Sequence, residues 1–205
     1  MPSQTFFNLN QAKKERIMEA AIDEMSMHSY EYINLANIIR NAHIPRGSFY
    51  QYFEDKDDLC NYFYRYIGEK KMAFFGDLFL PSHDIPLLER FKLIYLKGFE
   101  FAKAYPKLMK AGQKMIGSEY YQKNAFVKDA MKQAILLYQN YIEIDQKKGR
   151  IRKDVDSHIL ASFLLEFMNK VTLDAFLKDD IDYKEIEKAV NGLLDILKKG
   201  IDVHV

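Results

Sequence analysis

Between Asn34 and Lys56 the chain reads NLANIIRNAHIPRGSFYQYFEDK, and this stretch leaves few folds open. Asn34 is a strong N-cap, and Leu35, Ile38, Ile39 and Ala42 follow at helical spacing. A short helix therefore buries one face and presents Asn37, Arg40 and Asn41. Pro45 has no amide hydrogen and drives Ile44 out of the helical region, so the chain turns at His43-Ile44-Pro45, with Ile44 plugging the angle between two helices. A second helix of one to two turns exposes Arg46, Gly47, Ser48 and Gln51, while Phe49, Tyr50 and Phe53 anchor it. Gly47 costs about 1 kcal/mol relative to Ala inside a helix, and a closely approaching nucleic-acid backbone or base edge accounts for it.

Ile38, Ala42, Gly47, Ser48, Phe49, Tyr50, Phe53 and the Lys56-x-x-Leu59 spacing together resemble the helix-turn-helix signature of TetR-family transcriptional regulators. The resemblance covers roughly the first sixty residues. It implies an all-α fold of about nine helices: a three-helix helix-turn-helix DNA-binding domain at 1–56, then a larger helical bundle at 57–205 for effector binding and dimerisation. It further implies that Arg46, Gly47 and Ser48 approach base edges, that Tyr50 and Tyr52 contact phosphates, and that Lys56 meets a phosphate from the next helix. Asn34 stands where a Thr often contacts the DNA backbone, and Gln51 completes the presented face. His43 replaces the family's usual Gly and Pro45 its capping Ser. His tolerates the left-handed conformation and Pro suits a helix start, so the turn survives without a side-chain phosphate contact at Pro45.

Lys and Arg number 30 against 29 Asp and Glu, so no global basic field favours nucleic acid and any DNA contact is local. The candidates are Lys13, Lys14, Arg16, Arg40, Arg46 and Lys56, with Glu15, Glu19, Asp23 and Glu24 balancing the first group on its helix, where the basic cluster could equally be a solvated face. A single cysteine, Cys60, excludes an intramolecular disulfide framework and fits a reducing compartment, where it reads as a packing residue. Neither a membrane-length apolar run nor a signal core is present, which points to the cytoplasm. No Gly-rich phosphate loop, G-x-S-x-G or paired metal ligands appear, and His28, His43, His83, His158 and His204 are scattered. Asp154 and His158 share a helix face, but a capping Asp beside a solvent His explains them without a metal. Neither an enzyme nor a cofactor is expected.

Beyond the motif every long segment reads as helix. Asp55 to Asp58 caps one running to about Leu80, and Pro81-Ser82-His83-Asp84-Ile85-Pro86 breaks it. Leu87–Ala104 and Lys107–Ile116 follow. One long helix is expected from Tyr120 to Lys148, ended by Gly149. Asp154 caps a helix to about Leu177, and Asp182 with Glu185 forms a capping box for the last, to about Ile201. Leu160, Leu164, Met168, Val190, Leu193, Leu194 and Leu197 make stripes wide enough to want a partner, as in the four-helix interface of a twofold dimer. Such a dimer reads a palindromic double-stranded DNA site with recognition helices about 34 Å apart or a multiple of that.

Aromatic and Met residues crowd the middle helices, and most must be core. Phe63, Tyr66, Phe74, Tyr95, Phe99, Met109, Met115, Phe126, Met131, Tyr138, Phe163 and Phe167 are the candidates to line the pocket the resemblance implies, for a small hydrophobic effector. Repression relieved by that effector is the expected function. The alternative is a DNA-binding or scaffolding protein without a small-molecule effector.

Overall fold

Helix-forming periodicity dominates the chain, and the computed structural model describes residues 1–176 and 183–201, with side chains at 1–171 and 184–201. The described helices are α1 (Gln4–Phe7), α2 (Gln11–Met27), α3 (Leu35–Asn41), α4 (Arg46–Tyr52), α5 (Lys56–Phe75), α6 (Leu87–Ala104), α7 (Pro106–Ile116), α8 (Glu119–Lys123), α9 (Ala125–Lys147), α10 (Ser157–Phe176) and α11 (Tyr183–Ile201), with 3-10 turns at Tyr30–Tyr32 and Gly76–Phe79. The fold is all-α, as expected. None of the described helices is long and apolar enough to cross a membrane.

Two compact units emerge. The first comprises Met1–Phe74 and Ala104–Lys128, and the second Phe75–Lys103 with the described residues from Asp129 onward. The division expected at 56/57 thus falls inside the first unit, which holds nearly all of α5 together with α7 and α8. The reason is packing: α2 buries Ile17, Met18, Ala21 and Met25, α7 buries Leu108, Ala111 and Met115, and these two helices form the most extensive contact of the unit. α5 adds Leu59, Cys60 and Phe63, all fully buried. Its Ile67 side chain lies 3.2 Å from where a Cβ on Gly112 would stand, so the glycine lets α5 and α7 approach.

In the second unit Phe91 and Ile94 of α6, Tyr138 and Ile142 of α9, Leu160 and Leu164 of α10, and Val190, Leu193 and Leu197 of α11 are buried. Arg90 is 2 % exposed. Its guanidinium donates to the Leu78 carbonyl at 2.6 Å, the Leu80 carbonyl at 3.1 Å and the His83 carbonyl, and lies 4.4 Å from the Tyr141 ring centroid. Asp145 accepts the Leu87 amide at 2.7 Å and is paired with Arg150, so two buried charges organise the Pro-rich crossing before α6.

Several boundaries differ from the sequence expectation. α5 ends at Phe75 rather than Leu80, because Gly76 adopts φ 56° and diverts the chain into a 3-10 turn. The single helix expected from Tyr120 is broken at Asn124, whose backbone is extended and whose side chain caps α9 by accepting the Val127 amide at 3.1 Å. Asp156, not Asp154, caps α10, accepting the Ile159 amide at 2.9 Å, while Asp154 pairs with Arg152. Leu177, Asp182 and His204 lie outside the described residues. Helix α1 was not anticipated, being only four residues long.

Candidate nucleic-acid interface

The supporting helix α3 is fixed at both ends. The Asn34 side chain accepts the Ala36 amide at 2.9 Å as an N-cap, and the Asn34 amide donates to Glu24 Oε1 at 2.9 Å. Asn37 Nδ2 reaches Glu24 Oε2 at 3.3 Å. Glu24, read from the sequence only as balancing the basic cluster on α2, is 3 % exposed and anchors the start of α3. Beyond the helix, His43 N–H donates to the Arg40 carbonyl and Ile44 N–H to the Ile39 carbonyl, with His43 at φ 51°. This is the six-to-one and five-to-two pattern of a Schellman stop, made here by a residue with a side chain. Arg16 Nε donates to the Ala42 carbonyl at 2.9 Å, completing the turn.

Helix α4 begins at Pro45 without a side-chain cap. Phe49, Tyr52 and Phe53 pin it to the interior, at 0 %, 4 % and 1 % exposure. Phe6 of α1 fills the same cluster, its ring centroid 4.9 Å from Phe53 and 5.0 Å from Tyr62, and the Ser3 amide donates to the Tyr52 carbonyl at 2.9 Å. The N-terminal segment therefore braces the end of α4.

What remains outward on α4 is Arg46, Gly47, Tyr50 and Gln51, with Ser48 half-buried. A Cβ built on Gly47 would meet nothing within 4 Å, so no neighbour inside the protein explains this glycine. Tyr50, expected as an anchor, is 49 % exposed and joins the outward face. Tyr52 is the converse: its burial makes it a packing residue and gives no support to a phosphate contact. Lys56 is half-buried, its ammonium donating to the Tyr30 carbonyl at 3.0 Å and standing 4.1 Å from the Tyr30 ring centroid. Asn34 is exposed but its side chain is committed to the cap. Of the basic cluster on α2, Arg16 serves the α3 turn, Lys13 lies 5.5 Å from the Tyr52 ring centroid and Lys14 reaches the Phe7 carbonyl at 3.4 Å.

Sequence reasoning missed Tyr30 and Tyr120. Their rings stack at 4.0 Å and 6°. The Tyr120 hydroxyl donates to the Asp57 carbonyl at 3.2 Å and lies 3.1 Å from Asn61 Oδ1, which also accepts Asn124 Nδ2 at 2.9 Å. The Tyr30 hydroxyl donates a hydrogen bond to the Asp57 carboxylate. Burial and that carboxylate push the Tyr30 hydroxyl above the ordinary phenol range. The stack joins α8 to the Lys56 end of α5, and its partners are 90 residues apart, so no local pattern could announce it.

The expected pocket residues fall in both units: Phe63, Tyr66, Phe74, Met109, Met115 and Phe126 in the first, Tyr95, Phe99, Met131, Tyr138, Phe163 and Phe167 in the second. Phe63 and Met115 are wholly buried, whereas Phe126 and Phe163 are 38 % and 49 % exposed. Tyr138 is buried with its hydroxyl 3.5 Å from the Met168 sulfur. Tyr95 and Phe99 border a small cleft with Leu96 and Val190. Among the residues expected at a dimer seam, Leu160, Leu164, Val190, Leu193 and Leu197 are buried inside the single chain, and Met168 and Leu194 are half-buried. On α10 and α11, among the described residues, the large apolar side chains left outward are Ile159 at 67 %, Phe163 at 49 % and Ile196 at 71 %. Cys60 is fully buried, and burial pushes its thiol up to about 12. The described residues hold no group of three or more potential metal ligands.

A short helix locked by aromatics, preceded by a fixed turn and presenting Arg46, Gly47, Tyr50 and Gln51, defines a helix-turn-helix protein. Residues 17–62 match the family model described as bacterial regulatory proteins, tetR family. The chain is 22 % identical over 197 residues to YdgC of Bacillus subtilis (strain 168), described as an uncharacterized HTH-type transcriptional regulator, covering 93 % of this chain and 96 % of that protein. The crystal structure of a TetR family transcriptional regulator from Chloroflexus aurantiacus J-10-FL matches with a TM-score of 0.72 and 22 % identity over 98 % of this chain and 99 % of that one. FadR from Bacillus subtilis, solved with stearoyl-CoA, matches with a TM-score of 0.75 and 16 % identity over 91 % and 98 %. SmeT with triclosan matches with a TM-score of 0.75 and 18 % identity over 95 % and 93 %, and SmeT is the repressor of the Stenotrophomonas maltophilia multidrug efflux pump SmeDEF. At these identities the structures share the fold.

Proposed function

We propose that this protein is a cytoplasmic, dimeric repressor that holds a palindromic operator through α4 and releases it when a small, largely hydrophobic effector binds within residues 57–205, with residues 1–56 reading the DNA. The outward face of α4 carries this reading: Arg46, Tyr50 and Gln51 flank a bare Gly47 that the protein interior does not require. Arg46 suits a bidentate contact to guanine, and Tyr50 and the Lys56 end of α5 suit phosphates. The molecules bound in two structural neighbours, stearoyl-CoA and triclosan, support a small organic ligand here. On α10 and α11, Ile159, Phe163 and Ile196 are exposed apolar side chains that suit contact with a second copy.

Release requires the effector to favour a DNA-incompetent form, and moving that balance from 1:99 to 99:1 takes about 5.5 kcal/mol of differential affinity. The Tyr30–Tyr120 stack offers a route, since any shift of α8 changes the support of Lys56. The test is selection of bound duplexes from a random library. Enrichment of a palindrome bound with a negative salt slope is expected. Absence of any enriched sequence with folded, ligand-free protein would overturn the DNA-reading assignment, and a palindrome that no ligand releases would favour a regulator without an effector.

A further inference from the structure

Tyr64, Gly68 and Lys71 stand at i, i+4 and i+7 of α5 and so share one face of that helix. All three are half-buried. The Tyr64 hydroxyl is enclosed, yet it has no hydrogen-bond partner among the described residues. Buried hydroxyls almost always find partners, so an orphan one marks a place for an acceptor from outside the chain. The Tyr64 ring packs edge-on against Tyr121 at 5.6 Å, which gives the place an aromatic wall. At Gly68 a Cβ would meet nothing within 4 Å, so there is open space beside the middle of a 20-residue helix, where glycine is a poor helix former and no turn calls for it.

Lys71 differs from the other cations of α5. Arg65 is paired with Glu69 and Lys70 stands 5.3 Å from the Tyr66 ring centroid, whereas Lys71 has neither an ion pair nor a hydrogen bond among the described residues. Long side chains on a helix lean back toward its N-terminus, and for Lys71 the preceding turn is the one that holds Gly68. Desolvation pulls its ammonium below the ordinary lysine range. A half-buried cation without a counter-ion beside open space is costly to maintain in the free protein, and a bound anion would remove that cost.

We propose that this face of α5 binds an apolar monocarboxylate, with Lys71 pairing to the carboxylate and the Tyr64 hydroxyl donating to a second oxygen of the ligand about two helical turns, ~10 Å, away. A single ammonium matches a monoanion, while a phosphate dianion calls for more donors. The inference rests on the effector reading above and narrows it from a hydrophobic ligand to an organic acid. Through Tyr121, which adjoins Tyr120, the ligand would bear on the stack that supports Lys56.

The experiment is calorimetric titration of the full chain with 10-hydroxydecanoate, decanoate and 1,10-decanediol, whose lengths fit the spacing and which differ only at the two ends. Wild type should bind the hydroxy acid about ten-fold or more tightly than the diol. Lys71→Met should abolish that preference, Lys71→Arg should keep most of it, and Tyr64→Phe should bring the hydroxy acid down to the affinity of decanoate; thermal melts of the three variants establish that they fold. Equal binding of acid and diol by wild type, or a preference that survives in Lys71→Met, overturns the carboxylate assignment and leaves a neutral effector standing. No binding of these probes, together with no stabilisation by a broad library of apolar ligands, overturns the effector reading with it.

Discussion

His43 illustrates how one side chain can satisfy a turn at a cost. Its φ of 51° is the conformation that glycine adopts freely, and an L side chain there is strained by about 1 kcal/mol. His43→Gly is therefore expected to raise the melting temperature by about 2–4 °C, as a differential scanning experiment would register; an unchanged or lower value would mean that the imidazole has a role that outweighs the strain. Arg46 and Lys56 separate in the same way by surroundings. Arg46 is free on the outward face, so Arg46→Ala should cost about 1–3 kcal/mol on a selected site and much less on random duplex. Lys56 is engaged with the Tyr30 carbonyl and ring, so Lys56→Ala should weaken both kinds of DNA alike and also lower thermal stability. Fluorescence anisotropy at fixed salt on both duplexes decides between these patterns.

At the scale of elements, α8 and the start of α5 behave as one support. Tyr120→Leu removes the stacked ring and the hydroxyl bonds to Asp57 and Asn61. It should leave operator binding within a few-fold while shifting the effector concentration needed for release by about ten-fold or more, the size of a typical coupling energy; identical release curves for wild type and variant would detach the stack from regulation. The Pro-rich crossing before α6 provides a pH-dependent element. Arg150 and Lys148 hold the exposed Asp84 carboxyl down at about 2. Because an unfolded Asp titrates at about 4, this pairing supports the fold above that pH and is lost as pH falls toward 2. Asp84→Asn should therefore narrow its stability difference from wild type as the pH drops through this window, which acid unfolding followed by circular dichroism would read; a constant difference would exclude the pair as the source.

For the molecule as a whole, the proposed DNA reading calls for a second copy, because one short recognition helix buries too little surface to hold a site alone. The outward Ile159, Phe163 and Ile196 are the surface on which such an interface would rest. Ile159→Asp combined with Phe163→Asp should yield monomers in analytical ultracentrifugation and reduce affinity for a palindrome by about a hundred-fold or more, with half-site binding little changed. A dimer that withstands both substitutions would place the interface elsewhere. With a net charge of only +1, the chain also lacks the field for strong nonspecific binding, so its salt dependence should reflect a few placed contacts.

Local chemistry fixed what lies close in the sequence. The cap at Asn34, the turn at His43-Ile44-Pro45, the aromatic anchors Phe49 and Phe53, and the limits Leu87–Ala104 follow from propensity and periodicity, which act over a few residues. Cys60 as a packing residue was legible for the same reason. Tertiary structure alone decided which helical stripe meets which neighbour. It placed Glu24 beneath α3, turned Tyr52 inward and Tyr50 outward, buried Leu193 and Leu197 within the chain, and brought Tyr120 onto Tyr30. Periodicity states that a face is apolar but not what covers it, and a buried charge resembles a surface charge until its distant partners are in place. For the same reason Tyr64 and Lys71 look like ordinary helix residues in the sequence, and only the packing around α5 leaves one hydroxyl and one ammonium without a partner among the described residues.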